Sequence, residues 1–461
     1  MQLFRHDRMW QAHDLKRVYD VVIIGAGVHG LATAYYLGRA HGIRKVALLE
    51  KGYLGSGASG RNTAIIRANY RTAEGIPFYR ESVHLYEEMS VELGWNVLFS
   101  QCGHLTLGHT DSAVMGLRVR GETNKLLGVD SELIGPAEIK KLVPALDVSD
   151  RAHLPVMAAL YHPPGGIVRH DAVVWAYARA CDQMGIEIHP FTEAKAIKLG
   201  RNGREEIAGV VTSRGEIATK AVVNCTAGWA STVARMAGIE LPIVTHPLQA
   251  CVTEPLKPFL RHVIVSSNLH VYVNQTDRGE LVLGAEIDPY QSYCMKSTLP
   301  TLEQIAAYTL DLFPQLHSVN VLRQWAGICD MTPDYSPIIG GVEAVKGFYL
   351  DVGWGTYGFK AGPIAGKCLA ELIAKGKAPK LIEPFAFSRF GEGRLVGEKA
   401  AAAVSHYGLA FLLLQRASPG SKLAVLVSSL RAWGTGLQTA GRKVKSRWRK
   451  RSTRIGSWTR S

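Results

Sequence analysis

Residues 25–30 read Gly-Ala-Gly-Val-His-Gly, and glycine at the first, third and sixth places is a spacing that lets a backbone wrap a pyrophosphate. Gly25 permits a tight turn, Gly27 lets backbone N–H groups approach an anion, and Gly30 lets the following helix pack on the preceding strand, with Ala26 and His29 between them. About twenty residues on, Glu50 ends the next strand, where a carboxylate meets the ribose of a bound dinucleotide, and Lys51 follows it. A purely structural turn and a solvated acidic residue would give the same letters, so the context has to decide. The cysteines at 102, 181, 225, 251, 294, 329 and 368 lack any CxxC pairing, so neither a metal site nor a redox dithiol is read from them, and reduced thiols are expected.

That context is strand, turn and helix. Tyr19–Gly25 has a strand pattern, Leu31–Arg39 carries apolar residues at helical spacing, and Lys45–Leu49 is a second strand, which together make a βαβ unit. A Gly/Ser-rich loop, Gly55–Gly60, precedes a helix at about Phe78–Leu93, and short strands such as His104–Leu107 then interrupt the parallel pattern. Ile167–Met184 is expected to be helical behind Pro163-Pro164-Gly165-Gly166. Glu187–His189, Glu193–Leu199, Ile207–Thr212 and Glu216–Thr219 are expected to alternate as antiparallel strands around Arg201-Asn202-Gly203. Ala221–Cys225 and Phe348–Val352 read as returns to the first sheet, the latter followed by helix Ala361–Ile373; Leu269–Val282 and helix Leu302–Phe313 belong to a second, inserted domain. The fold class is therefore α/β, a Rossmann-like dinucleotide-binding domain with an interleaved mixed-sheet substrate domain. The first domain is expected in three segments, 18–95, 158–232 and 324–406, the second at 96–157 and 233–323, and 407–461 forms a basic tail.

Composition limits what such a chain does. With 461 residues, 47% hydrophobic, 20% charged and 47 glycines, it has a sizeable core and is neither disordered nor collagen-like. The net charge of +14 is misleading, because residues 407–461 hold 12 Lys/Arg and no Asp or Glu, which leaves 41 basic against 39 acidic residues elsewhere. A nucleic-acid reader carries its basic residues on the folded surface that docks, so that function is excluded. Met1–Arg17 has no apolar h-region and no stretch reaches membrane-spanning length, so a cytoplasmic location is expected.

Four motifs occur in order: Gly25–Gly30, Ser59-Gly60-Arg61-Asn62-Thr63-Ala64-Ile65-Ile66-Arg67, Gly165-Gly166-Ile167-Val168-Arg169-His170-Asp171, and Gly353-Trp354-Gly355-Thr356-Tyr357-Gly358-Phe359-Lys360. In this the chain resembles the β subunits of heterotetrameric sarcosine oxidases, within the glycine oxidase and D-amino-acid oxidase group of flavoproteins, over roughly residues 18–406. The resemblance implies non-covalent FAD as the dinucleotide, which the residues alone do not separate from NAD. It places the cofactor against Gly60, Arg61 and Asn62, against Ala227 and Gly228 after a second contacting strand, and against Gly355, Thr356 and Gly358, whose backbone donors face the electron-rich end of the ring. It sets Arg67 and Lys360 beside the flavin, where a fork and a point charge suit an amino-acid carboxylate. Tyr70, His270 and Tyr272 are candidates for the same pocket, with ordinary packing as the alternative.

The resemblance also implies that His170 bonds covalently to FMN, held between this chain and an α partner; a neutral imidazole is a competent nucleophile, and Asp171 beside it is expected to set its tautomer. The activity so implied is oxidative demethylation of sarcosine to glycine and formaldehyde, with electrons passing through FMN to oxygen to give hydrogen peroxide. Tetrahydrofolate would accept the one-carbon unit on the α subunit, and γ and δ subunits would complete the assembly. Two alternatives stay open: a dehydrogenase of another secondary or D-amino acid that delivers electrons to a membrane carrier, and an inert FAD-binding assembly subunit. The tail is read as a solvated or spurious extension rather than a membrane or nucleic-acid contact.

Overall fold

The computed structural model describes residues 9–398 apart from 151, 201–204 and 267, so the tail, the end of the last segment and the turn at 201–203 lie outside the described residues. A six-stranded sheet runs in the order Ile338–Val342, Val345–Val352, Val222–Asn224, Val21–Ile24, Val46–Leu49, Glu187–His189, all parallel except the first, which forms an antiparallel edge. Both faces are covered, which is why Val21–Ile24 reads as an unbroken apolar run. Val21 and Ile23 enter a core built with helices Val28–His41, His170–Gln183 and Gly358–Lys375. Val22 and Ile24 enter a second core, made with the small antiparallel sheet Ala194–Leu199, Ile207–Thr212, Gly215–Ala218 and with helix Ala230–Met236.

Two expectations change. Glu187–His189 is not the first of the antiparallel strands but a parallel edge strand beside Val46–Leu49. It follows helix His170–Gln183, so it completes a crossover, and three residues are too few for periodicity to reveal a sheet partner. The helix expected from Ile167 begins at His170, because Gly166–Ile167 is taken up in pairing with Ile65–Ile66. That shift makes His170 the first residue of its helix.

An eight-stranded mixed sheet forms the second layer system, in the order Val321–Met331, Val244–Pro255, Glu280–Ile287, Val271–Gln275, Val263–Ser266, His104–Gly108, Ala158–His162, Glu132–Ile134. Leu105, Ile264, Val273 and Leu283 are successive cross-strand partners and all enter one apolar core, so they define a single face. Alternation puts His104, Thr106, Val265, Tyr272 and Gly284 on the other face.

A buried clasp fixes the segment from Arg389 to Glu398. Arg389 and Asp334, each 1% exposed, pair at 2.8 Å, and the guanidinium also donates to the carbonyls of Phe385 and Ser336. Asp334 accepts from Val396 N as well, and Glu398 two residues on accepts from Arg71 N, Thr72 N and Thr72 Oγ1. Arg389→Met is expected to cost about 3–5 kcal/mol, because it strands a buried carboxylate. A urea melt showing less than about 1 kcal/mol of loss would mean that the clasp contributes little.

Candidate active site

At the end of the first strand Gly25 has φ +106°, and a Cβ there would stand 2.5 Å from the carbonyl oxygen of Cys225. The ends of strands Val21–Ile24 and Val222–Asn224 therefore meet, which brings Ala227 and Gly228 next to the glycine turn. A Cβ on Gly30 would lie 2.0 Å from Gly25 O, so strand and helix touch through their backbones. Helix Val28–His41 starts at Gly27 with no side-chain cap of its own, and Ser59 Oγ accepts from Val28 N at 3.0 Å. Glu50 closes the opposite side by accepting from Ala26 N (3.2 Å) and Gly52 N (2.9 Å). Glycine where a Cβ would collide, an anion-favouring helix start and a carboxylate at the strand end together fit a dinucleotide.

The remaining expected contacts divide. Lys51 Nζ lies 3.5 Å from the Trp229 ring centroid, and burial lowers its pKa. Arg61 is spent on the chain itself, with Nε to Ser56 O and NH1 to Ala326 O, while its own carbonyl accepts from Trp325 Nε1. Asn62 bonds Ser59 O and accepts from Ala64 N, shaping a loop in which Ala64 has φ +55°. Gly228 is required by packing, since a Cβ would meet Ile328 Cγ2 at 2.2 Å. His29 does not face outward. Its ring joins Asp351 Oδ1 (2.9 Å) to Gly358 O (2.9 Å) and lies 4.7 Å from Trp354. Burial opposes a charge on it, but Asp351 outweighs burial and raises its pKa, so His29 ties the first helix to the last. Gly355 adopts φ +54°, Thr356 Oγ1 is buried without a partner, and Gly358 opens a helix whose N-cap, Tyr357, has no side-chain cap bond.

Lys360 sits in that helix's first turn, 8% exposed, and its ammonium makes no hydrogen bond or ion pair among the described residues. Burial first and Arg67 second push its pKa well below the usual value. Arg67, 5% exposed, lies 4.3 Å from the Tyr70 ring and donates through NH1 to Asn69 O and Asn69 Oδ1. Arg120 holds the same Asn69 carbonyl from the other side through Nε at 2.6 Å, and Asn124 donates to Tyr70 O at 2.7 Å. Tyr70 itself stacks on Tyr79 at 3.7 Å and stands edge-on to Tyr357. The structure thus brings Arg67, Tyr70 and Lys360 together. Arg120 and Asn69 are functional neighbours that no motif pointed to; only burial reveals them.

Tyr272 reaches this region as well. Its row across the large sheet runs Trp325, Ala250, Gly284, Tyr272, Val265, Thr106, and Gly284 leaves room for the phenol: a Cβ there would meet Tyr272 Oη at 2.7 Å. Burial raises the Tyr272 pKa, and a hydrogen bond with Thr63 pulls against it, which sets Tyr272 against the loop carrying Arg67. His270 is different. It closes a turn with φ +51°, burial lowers its pKa, and no hydrogen bond, ion pair or ring contact joins it to Arg67, Tyr70 or Lys360 among the described residues.

His170 lies apart, at the first position of its helix, 6.5 Å edge-on from Phe359. It makes no hydrogen bond or ion pair among the described residues, and burial lowers its pKa, so the ring is neutral with both nitrogens available. Asp171 does not set its tautomer: that carboxylate is held by Arg169 at 2.9 Å and by Ala172 N at 2.9 Å. The chain neighbours of His170, Arg169 and Asp171, line a surface cleft of about 460 Å³ together with Trp95, Leu98 and Trp175, among others, whereas His170 itself is not in the lining.

A profile of the family described as FAD dependent oxidoreductase matches residues 20–372. The chain is 45% identical to sarcosine oxidase subunit beta of Rhizobium meliloti (strain 1021) over 86% of its own length and 94% of that protein. It is 44% identical to sarcosine oxidase subunit beta of an Arthrobacter species, over 86% of this chain and 97% of the relative. Among solved structures, L-proline dehydrogenase from P. horikoshii superposes with a TM-score of 0.77 at 32% identity, covering 83% of this chain and all of that one.

Proposed function

The chain belongs to the FAD dependent oxidoreductase family, with sarcosine oxidase β subunits among its relatives, and on that premise we propose that it is the β subunit of a heterotetrameric sarcosine oxidase. The observation that carries the reading is the buried Lys360 beside Arg67, two basic side chains side by side, of which the lysine lacks a partner among the described residues and is costly to charge. Such a pair is costly unless an anion completes it, and an amino-acid carboxylate is the anion that a fork and a point charge would take.

FAD, when bound, supplies a two-electron acceptor for the N-methyl group of sarcosine. Gly25, Gly27 and the open helix start hold its pyrophosphate, Glu50 its ribose, and the segment Gly355–Gly358 borders its ring. Arg67 and Lys360 grip the carboxylate and so fix the N-methyl carbon; Asn69, clamped between Arg67 and Arg120, keeps the guanidinium in place. Loss of two electrons and a proton gives the iminium, which water hydrolyses to glycine and formaldehyde. His170 is proposed to carry covalent FMN, which would supply the route by which electrons reach oxygen to give hydrogen peroxide. An α partner would complete the FMN site and bring tetrahydrofolate, with γ and δ subunits beside it. Trp95, Leu98 and Trp175 around the cleft that Arg169 and Asp171 line give such a partner an apolar surface to cover. The same reading divides the chain into a dinucleotide lobe at 18–95, 158–232 and 324–406 and a substrate lobe at 96–157 and 233–323. Two pieces depart from that division: Ala158–His162 and residues 324–331 of strand Val321–Met331 pair in the larger sheet and so go with the substrate lobe.

Anaerobic addition of sarcosine to the purified complex should bleach the flavin, and admission of oxygen should yield peroxide. Bleaching without peroxide would indicate a dehydrogenase, and no bleaching with any secondary amino acid would indicate an inert subunit.

The lowered Lys360 pKa gives a second test. Above that pKa the free protein holds Lys360 neutral, and an arriving carboxylate favours the ammonium, so binding takes up a proton. Acetate binding measured by calorimetry over a pH series, each point in two buffers of different ionisation enthalpy, should show that uptake where the pH exceeds the lowered pKa. The unfolded chain holds this proton more tightly than the folded one, so between the lowered pKa and about 10.4 the ligand-free protein gains stability as pH rises. Acetate binding with no proton exchange would count against Lys360 as the ligand.

A further inference from the structure

His104 is 1% exposed, yet neither ring nitrogen has a hydrogen-bond partner among the described residues. Thr106 Oγ1 and Asn274 Oδ1 are also buried without partners. Isolated cases of this kind are common enough in a large protein, but these three share one face of the eight-stranded sheet. His104 and Thr106 alternate along one strand with Leu105, and Asn274 follows Val273 and pairs with Val282, whereas Leu105 and Val273 both belong to the apolar core of the opposite face. The polar face looks toward the loop that carries Arg67: His162, the cross-strand partner of His104, accepts from Ala68 N at 3.2 Å, and Tyr272 of the same face meets Thr63. His162 is saturated, since its other ring nitrogen bonds Asp130 O, so the open hydrogen-bonding capacity rests with the other three residues.

Buried polar groups are ordinarily satisfied, and a group of them left open on one wall beside two substrate-binding cations is what a polar subsite looks like before its ligand arrives. Resting on the carboxylate clamp proposed above, we propose that His104, Thr106 and Asn274 form a subsite for a hydroxyl-bearing substituent, so that the pocket takes N-hydroxyalkyl glycines better than their N-alkyl counterparts. A neutral imidazole offers one donor and one acceptor, threonine the same, and Asn274 Oδ1 an acceptor. A hydroxyl, itself donor and acceptor, matches that set. A second carboxylate, which only accepts, would be repelled by Asn274 Oδ1. Burial and the charges of Arg67, Arg120 and Lys360 keep His104 neutral and so preserve its acceptor.

The test uses the flavin-loaded complex and two matched pairs. By calorimetry, 5-hydroxypentanoate, an inert carboxylate, should bind about tenfold more tightly than pentanoate, as expected for one extra buried hydrogen bond. In turnover, N-(2-hydroxyethyl)glycine should exceed N-ethylglycine in kcat/KM by a similar factor. His104→Val and Thr106→Val should bring both ratios toward one; if either variant fails to load flavin, the wild-type pairs still decide. Equal binding of the two pentanoates, or ratios that folded variants leave unchanged, would overturn the subsite. The outcome is separable from the proposed activity. Failure of sarcosine to bleach the flavin speaks against the oxidase, while the pentanoate pair reports on the wall whether or not sarcosine is a substrate.

Discussion

Lys360→Met is expected to lower kcat/KM for sarcosine by about thirty-fold to several thousand-fold, the range that follows from losing about 2–5 kcal/mol when one partner of a buried carboxylate is removed. FAD should stay bound, because the dinucleotide cradle is built from Gly25, Gly27, Gly30 and Glu50, none of which is held by the Lys360 side chain. The same substitution should not destabilise the ligand-free protein and is expected to stabilise it, since the methionine fills the space of a buried lysine whose charge has no partner among the described residues and is opposed by Arg67. The two signs together are diagnostic: a merely structural lysine would lose stability and activity in parallel. Arg67→Lys should also impair saturation. A point charge cannot donate to Asn69 and present a fork to a carboxylate at once. Steady-state curves that saturate as in the wild type in both variants, with flavin content unchanged, would remove the clamp from consideration.

The stability gain and the functional loss share one cause. The sheet, helices and clasp of this chain bury Arg67, Arg120 and Lys360 in one region, an arrangement that no folding argument favours. Arg67, Lys360 and the flavin-facing loops were legible in the sequence because motif order fixes them along the chain, and Gly25–Gly30 because glycine was the only residue that could approach Cys225 and Gly25 so closely. Arg120, Asn69, His104 and Thr106 were not legible. They lie on a helix, a loop and a strand whose local patterns are ordinary, and only the pairing of His104–Gly108 with Val263–Ser266 and Ala158–His162 shows which face they occupy. The sheet partner of Glu187–His189 is not legible for a similar reason: three residues carry no periodicity, and their place is set by the crossover that precedes them. Tyr272 was legible by position but not by role. Its room is provided by Gly284 on the neighbouring strand, a contact that no reading of one segment reveals.

His170→Asn is expected to abolish covalent flavin entirely while leaving FAD in place. In the wild-type complex co-expressed with an α partner, acid precipitation should leave yellow, fluorescent flavin on this chain and release FAD to the supernatant. The chain expressed alone should bind only FAD, because an FMN site shared with an α partner is half a site here and half a site cannot hold FMN for attack. The ring is suited to the reaction by what it lacks: it makes no hydrogen bond or ion pair among the described residues, and burial keeps it neutral. Asp171→Asn then becomes the informative companion. Because Asp171 is bonded to Arg169 and to the helix N–H of Ala172, its loss should loosen the helix start without changing the His170 tautomer. Attachment should therefore slow modestly in Asp171→Asn and vanish in His170→Asn. A complex whose flavin is wholly acid-extractable in the wild type would count against both His170 and the heterotetrameric oxidase, and would favour a dehydrogenase that passes electrons elsewhere.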